Sequence, residues 1–196
     1  MTEQGGEGVP TPFEHLDVPP GGGWSDVAGV AGHPGLVDHG QVMTAGAEHF
    51  LGATTLSALA SEPVRTSLWE GTDPIPHTRL GQQADLVVVA PATARLLAAY
   101  AAGLSTDLLT NVLLATRAPV VVCPAMHTEM WEHPAVQANV VTLRARGVHI
   151  VEPEVGRLAG GDNGAGRLAA PERIVAAVEA VLGGAGDLAG LHVVVS

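Results

Sequence analysis

The chain has 196 residues and is 46% hydrophobic, enough for one ordinary domain with a full apolar core. Twenty acidic residues outweigh nine basic ones, and the net charge of −11 argues against nucleic acid or an anionic membrane as the main partner. All nine basic residues are arginines, which excludes lysine chemistry such as a Schiff base. The single cysteine excludes an intrachain disulfide and favours a reducing, cytoplasmic setting, and no apolar run reaches the roughly 20 residues of a membrane span.

The first 41 residues are rich in residues that interrupt regular structure. The run Pro-Pro-Gly-Gly-Gly occupies positions 19–23, and further glycines stand at positions 29, 32 and 35. No packed helix or strand tolerates such a density of proline and glycine. We therefore predict that residues 1–41 are poorly ordered.

From residue 42 onward, short apolar runs alternate with helical segments. The predicted strands are 85–90, 120–122 and 148–151. The predicted helices are 53–61, 94–102, 107–116, 134–146 and 171–182, and the predicted loops are 62–77 and the glycine-rich stretch 156–166. The alternation predicts an α/β fold for residues 42–183, with a doubly wound, mostly parallel sheet covered by helices on both faces. Residues 184–196 are predicted to be a linker and the first strand of a following, truncated domain.

A distinctive run, Cys-Pro-Ala-Met-His-Thr-Glu-Met-Trp at 123–131, directly follows the strand 120–122. Ligands of parallel sheets bind at the carboxyl ends of strands. The run resembles the Pro-x-Met-Asn-x-x-Met-Trp segment of flavin-dependent cysteine decarboxylases, and His127 stands where most members carry Asn. The resemblance implies that His127 contacts a substrate carboxylate, that Met126 and Met130 bind substrate, and that Ala125 contacts the cofactor.

Two further segments match this family in the same order along the chain. Thr44 follows an apolar pair and precedes Phe50, similar to the strand end where a hydroxyl meets the flavin; alone, it is an ordinary strand end. Thr93 and Ala94 begin a helix, where a hydroxyl and free N–H groups form an anion site. Alone, Thr93 is an ordinary N-cap. The resemblance implies that these four residues bind FMN.

His77 lies in the run Ile-Pro-His-Thr-Arg-Leu at 75–80, shortly before the strand 85–90. A histidine titrates near neutral pH and therefore suits general acid–base work. Without context, His77 is one of nine histidines and lies in a surface loop. The resemblance, through its spacing to the following strand, implies that His77 is the active-site base.

The glycine-rich stretch 156–168 resembles the substrate flap of the same family. Its glycines suit a mobile lid, and Arg167 offers a fixed positive charge to an anionic substrate. Gly160 stands where the family often has a cysteine implicated in the reductive half of the reaction. The front of the chain also departs from the family, since 1–41 lacks a recognisable strand, glycine turn, helix and second strand.

The resemblance implies an FMN-dependent decarboxylase that converts phosphopantothenoylcysteine to phosphopantetheine in coenzyme A biosynthesis. It implies a homotrimer or higher homo-oligomer, with the site between subunits, and a chain that is the front half of a bifunctional decarboxylase–ligase. No metal is predicted. One alternative is an oxidative decarboxylase of peptidyl cysteine, favoured by Gly160. Another is a flavin-free binding or regulatory subunit, favoured by the degenerate front segment.

Overall fold

The computed structural model describes residues 38–59, 63–69, 75–158, 161–183 and 192–195. The predictions for residues 1–37, for Gly160 and for the linker 184–191 lie outside the described residues. The strands are β1 (Asp38–Gln41), β2 (Leu86–Ala92), β3 (Val120–Pro124), β4 (His149–Ile150), β5 (Glu154–Arg157), β6 (Asn163–Arg167) and β7 (His192–Val195). The helices are α1 (Ala53–Leu59), α2 (Pro76–Gln83), α3 (Ala94–Ala102), α4 (Leu108–Ala115), α5 (Thr128–Trp131), α6 (Pro134–Ala145) and α7 (Pro171–Val181), and a 3-10 helix covers Ala47–His49.

The main sheet is parallel and has the strand order β1-β7-β2-β3-β4. Its central strands are continuous apolar runs because both of their faces are covered. Val87 and Val89 contribute to one apolar cluster together with residues of α3, α4 and α6. Leu86 and Val88 contribute to a second cluster together with residues of α7. The predicted α/β sheet with helices on both faces is confirmed. No helix among the described residues is long and apolar enough to cross a membrane.

The helix boundaries follow signals in the sequence. Pro76, Pro134 and Pro171 each stand in the first turn of a helix, where a missing N–H costs no hydrogen bond. Asp107 accepts a hydrogen bond from the backbone amide of Thr110, whose hydroxyl accepts one from the amide of Asp107, which forms a capping box before α4. Gly103 ends α3 with a φ of 71°, a conformation that favours glycine.

Two predicted loops contain regular structure. The first two residues of α2 fall within the predicted loop 62–77, so His77 lies on a helix rather than in a loop. The stretch predicted as a glycine-rich loop supplies most of an antiparallel hairpin, β5 and β6, in which Gly156 pairs with Gly164. Pairing across the hairpin satisfies backbone groups that a loop would leave to water. We call the described residues 154–158 and 161–167 the hairpin.

At both ends of the described chain, the secondary structure differs from what the sequence predicts. Residues 38–41, assigned to the poorly ordered segment, form β1, whose backbone pairs with β7. Residues 192–195, assigned to a following domain, form β7, which lies between β1 and β2 and pairs in parallel with both. A run rich in Val suits a strand with neighbours on both sides. The boundaries of the predicted domains remain predictions.

Candidate active site at the carboxyl edge of the sheet

The residues predicted to carry function lie at one edge of the sheet. Thr93 and Ala125 come directly after the carboxyl ends of β2 and β3, and Thr44 comes three residues after the carboxyl end of β1, which belongs to the same parallel sheet. The helix α2 ends just before β2 begins. A helix that leads into a strand of an α/β sheet normally runs antiparallel to that strand, so the N-terminus of α2, with His77, is expected at the same edge. Loops at this edge converge in doubly wound sheets and form the ligand site.

The segment after β3 is held on three sides. The amide of Ala125 donates a 3.0 Å hydrogen bond to the carbonyl of Ala92 at the end of β2. The amide of Met126 donates a 2.9 Å hydrogen bond to the carbonyl of Gly166 in the hairpin. Trp131, at the end of α5, is buried in the first apolar cluster. The backbone hydrogen bonds and the buried Trp131 thus fix the position of the segment that carries His127.

Two glycines let the hairpin lie directly on this segment. A Cβ at Gly166 would collide with the carbonyl oxygen of Met126, and Gly166 has a φ of 136° that other residues rarely adopt. A Cβ at Gly164 would collide with the hydroxyl of Thr128. From their sequence alone, these glycines are predicted to give the mobility of a lid. The structure shows that they permit close backbone approach.

His127 lies between two carboxylates. Its Nδ1 is 2.6 Å from Oε2 of Glu129, and its Nε2 is 3.3 Å from Oδ1 of Asp162. The hydrogen bond with Glu129 and the charge of Asp162 raise the pKa of His127 above its ordinary value, and the same hydrogen bond lowers the pKa of Glu129. The raised pKa favours the imidazolium, in which both ring nitrogens donate. Glu129 and Asp162 were not singled out from sequence; the only signal was an acid two residues after His127.

His77 is half-buried at the start of α2. Its Nδ1 is buried and has no hydrogen-bond partner among the described residues. Buried polar atoms normally have a partner, so the partner of this nitrogen is expected from outside the described residues. No hydrogen bond or ion pair joins His77 to His127 within the described part of the chain.

The remaining described residues that were predicted to bind substrate differ in how exposed they are. Met126 packs against the first apolar cluster, whereas Met130 is exposed. Arg167 pairs with Glu154 across the hairpin, and its charge helps to lower the pKa of Glu154. Its side chain reaches Gly156, where an added Cβ would be 3.0 Å from its Cδ. The largest cause of that lowered pKa is the hydrogen bond from the amide of Ala170. Arg167 is therefore exposed on the hairpin beside a carboxylate.

The single cysteine of the chain has an unreactive thiol. Cys123 is fully buried within β3, and burial raises the pKa of its thiol to about 12. A neutral buried thiol is a poor nucleophile and a poor redox group. Cys123 therefore does not replace the cysteine that the family often carries at the position of Gly160.

Comparison with protein-family models matches residues 37–183 to the family described as Flavoprotein. The solved FMN-dependent cysteine decarboxylase SpaF is 35% identical and superposes with a TM-score of 0.59, over 70% of this chain and 78% of SpaF. This chain belongs to the flavin-dependent cysteine decarboxylases. Its family is one of flavoproteins, and a flavin is the cofactor that the family comparison supports.

Other relatives are similar to this chain at greater sequence identity or with a higher TM-score. The coenzyme A biosynthesis bifunctional protein CoaBC of Mycobacterium tuberculosis (strain ATCC 25618 / H37Rv) is 55% identical over 141 residues, which are 72% of this chain and 34% of CoaBC. CoaBC of Bacillus subtilis (strain 168) is 40% identical over 159 residues, 79% of this chain and 39% of the relative. A mutant PPC decarboxylase complexed with pantothenoylaminoethenethiol is 32% identical, with a TM-score of 0.63 over 72% of this chain and 82% of that one. The chain thus spans about a third of the length of its CoaBC relatives.

Three features of the carboxyl edge fit a flavin. At the start of α3 the hydroxyl of Thr93 caps the amide of Leu96, and the first-turn amides of Ala94 and Arg95 precede any helical carbonyl partner, which suits a phosphate. The hydroxyl of Thr44 accepts a 3.3 Å hydrogen bond from the amide of Ala47 and keeps acceptor capacity. Gln41, at the end of β1, is buried, and its amide group has no partner among the described residues.

Proposed function

We propose that this chain carries the FMN-dependent decarboxylation of phosphopantothenoylcysteine to phosphopantetheine, in the cytoplasm, as one step of coenzyme A biosynthesis. The observation that supports it most is His127, a histidine with a raised pKa presented by the segment after β3 beneath the hairpin. The similarity to CoaBC proteins and to a PPC decarboxylase supports the choice of substrate.

Each part of the site has a role in this proposal. Thr93 and Ala94 hold the FMN phosphate or ribityl chain, and Thr44, Phe50 and Ala125 contact the rest of the cofactor. The flavin, when bound, supplies hydride acceptance and hydride return. The protein orients the substrate and excludes water.

The two histidines have different roles, one in binding the substrate carboxylate and the other in proton transfer. His127, as an imidazolium, donates to the substrate carboxylate and keeps it in place until carbon dioxide leaves. His77 takes the proton of the substrate thiol, for which its unpartnered Nδ1 is available. Met126 and Met130 contact the cysteine moiety, and Gly160 and Arg167 contact the remainder of the substrate.

The test is an assay of the purified chain with phosphopantothenoylcysteine. We expect flavin absorbance bands, release of carbon dioxide and a saturated aminoethanethiol product. Flavin binding without carbon dioxide release from this substrate would contradict the proposal. Absence of flavin even after reconstitution with FMN would favour the flavin-free binding or regulatory subunit.

Oxidative decarboxylation of a peptidyl cysteine is the second candidate. It is favoured by glycine at position 160, where the family often carries a cysteine implicated in the reductive half of the reaction. The product distinguishes the two reactions, because an enethiol is about two mass units lighter than the saturated thiol. A peptide ending in cysteine, assayed in parallel, decides between the substrates: turnover of the peptide alone would support this candidate.

A homotrimer or higher homo-oligomer is part of the proposal, since the family resemblance implies a site between subunits. A second subunit would then provide groups that face His77. Light scattering of the purified protein measures the oligomer directly, and an active monomer would exclude this arrangement.

A further inference from the structure

Both ring nitrogens of His127 are occupied by carboxylates of different origin. Glu129, whose Oε2 lies 2.6 Å from Nδ1, belongs to α5, the short helix for which His127 is the N-cap. Asp162, on Nε2 at 3.3 Å, belongs to the hairpin and directly precedes β6. One carboxylate is therefore local and fixed, while the other comes from a separate element.

We propose that Asp162 is an internal surrogate for the carboxylate of the substrate. Asp162 pairs with Nε2 of His127 until an incoming substrate carboxylate takes that position, and it pairs again after the carboxylate has been lost. This inference rests on the proposed function, and it makes Asp162 a positioning residue that acts through His127. The exchange favours substrate over the decarboxylated product, which has no group to compete with Asp162.

The contacts suit an exchange rather than a permanent link. The side chains of His127 and Asp162 are 42% and 45% exposed, so both are accessible to a ligand from solvent. Ion pairs this exposed are weak. Competition with Asp162 should therefore lower the apparent affinity of His127 for an incoming carboxylate by only roughly two- to fivefold. Glu129 remains on Nδ1 throughout and keeps the imidazole protonated while the partner on Nε2 changes.

The hairpin does not depend on Asp162 for its position. The hydrogen bond from the amide of Met126 to the carbonyl of Gly166 joins hairpin and segment through backbone atoms. The close contact of Gly164 with Thr128 does the same through van der Waals packing. Neutralising Asp162 therefore removes a charge from Nε2 while leaving the fold and the hairpin contacts in place.

The experiment uses the full chain with ¹⁵N-labelled histidine and follows the ring signals of His127 by NMR. The variants are Asp162→Asn and, as the matched neutralisation, Glu132→Gln, because Glu132 ends the same short helix and forms no ion pair with His127 among the described residues. The probe is propionate, a carboxylate without a thiol, and propionamide is its neutral counterpart. Titrations are run at a pH where His127 is protonated in every variant.

We expect propionate to shift the His127 signals at roughly two- to fivefold lower concentration in Asp162→Asn than in wild type or Glu132→Gln. Propionamide should shift none of them. We also expect a lower pKa for His127 in Asp162→Asn alone. Equal propionate responses in all three proteins, or an unchanged pKa, would overturn the proposal. The measurement needs no turnover, so failed carbon dioxide release with an intact propionate effect would refute the proposed substrate and not the exchange.

Discussion

The amide of Met126 donates a 2.9 Å hydrogen bond to the carbonyl of Gly166, and this contact joins the end of β3 to the hairpin. The two backbones approach so closely that position 166 has no room for a side chain. The geometry that presents His127 thus depends on a glycine distant from it in sequence.

Gly166→Ala should destabilise the protein and displace the hairpin. The φ of 136° is one that alanine rarely adopts, and its Cβ would also collide with the Met126 carbonyl. Backbone strain of this kind costs about 1–3 kcal/mol. Urea unfolding gives the loss of stability, and limited proteolysis reports release of the hairpin.

Gly147→Ala is the matched control. Gly147 also has a positive φ, of 87°, but an added Cβ would meet nothing within 4 Å. We expect it to be less destabilising and to leave the hairpin resistant to protease. Equal effects of the two substitutions would mean that the contact with Met126 contributes little.

The sheet was predictable from sequence because its central strands are unbroken apolar runs with helical segments between them. Leu86 to Val89 and Val120 to Val122 are buried on both faces, and that burial leaves a plain compositional signal. Helix boundaries were predictable for a similar reason, since Pro134 and Pro171 mark the first turn of a helix.

The hairpin and the partners of His127 were not predictable in the same way. Glycines at 156, 164 and 166 indicate a loop by composition, but here they are strand residues, and those at 164 and 166 permit close approach to the segment after β3. The pairing of His127 with Asp162 spans 35 positions and is a product of tertiary structure. The family resemblance located His127 without revealing what surrounds it.

Thr93→Ala should weaken flavin binding and slightly destabilise the fold. The hydroxyl caps the amide of Leu96 at the start of α3, and loss of an N-cap costs about 1 kcal/mol. Thr93→Ser keeps the hydroxyl and serves as the control. Fluorescence titration with FMN measures affinity, and identical dissociation constants for both variants would remove Thr93 from the proposed cofactor site.

His77→Asn should abolish carbon dioxide release without loss of folding or of flavin. Removal of a general base typically lowers the rate about 10²–10⁴-fold. His149→Asn is the control, because His149 is exposed on β4 at the edge of the sheet. Turnover by His77→Asn within about a factor of two of the control would exclude His77 as the base.

Arg167→Ala should raise KM for the phosphorylated substrate more than for its unphosphorylated counterpart, because its charge would face the phosphate. Arg157→Ala, on the opposing strand of the hairpin, is the matched control. A similar loss for both substrates would instead indicate that Arg167 stabilises the hairpin through Gly156 and Glu154, which it lies beside.

Alkaline pH should destabilise this protein through two identifiable groups. The chain has one cysteine, one tyrosine and no lysine, so few side chains titrate between pH 9 and 12. Burial raises the pKa of Cys123 from 9.0 to about 12 and also raises the pKa of Tyr100, which Arg146 partly opposes.

The sign follows from these raised values. The unfolded chain loses its thiol proton first, so the stabilisation is complete below pH 9 and is lost as pH rises toward 12. In that window Cys123 alone lowers the free energy of unfolding by up to about 1.4 kcal/mol per pH unit. Urea unfolding at several pH values should show a shallower decline for Cys123→Ala, and a smaller change for Tyr100→Phe. An unchanged slope in Cys123→Ala would show that the thiol is not buried as the structure has it.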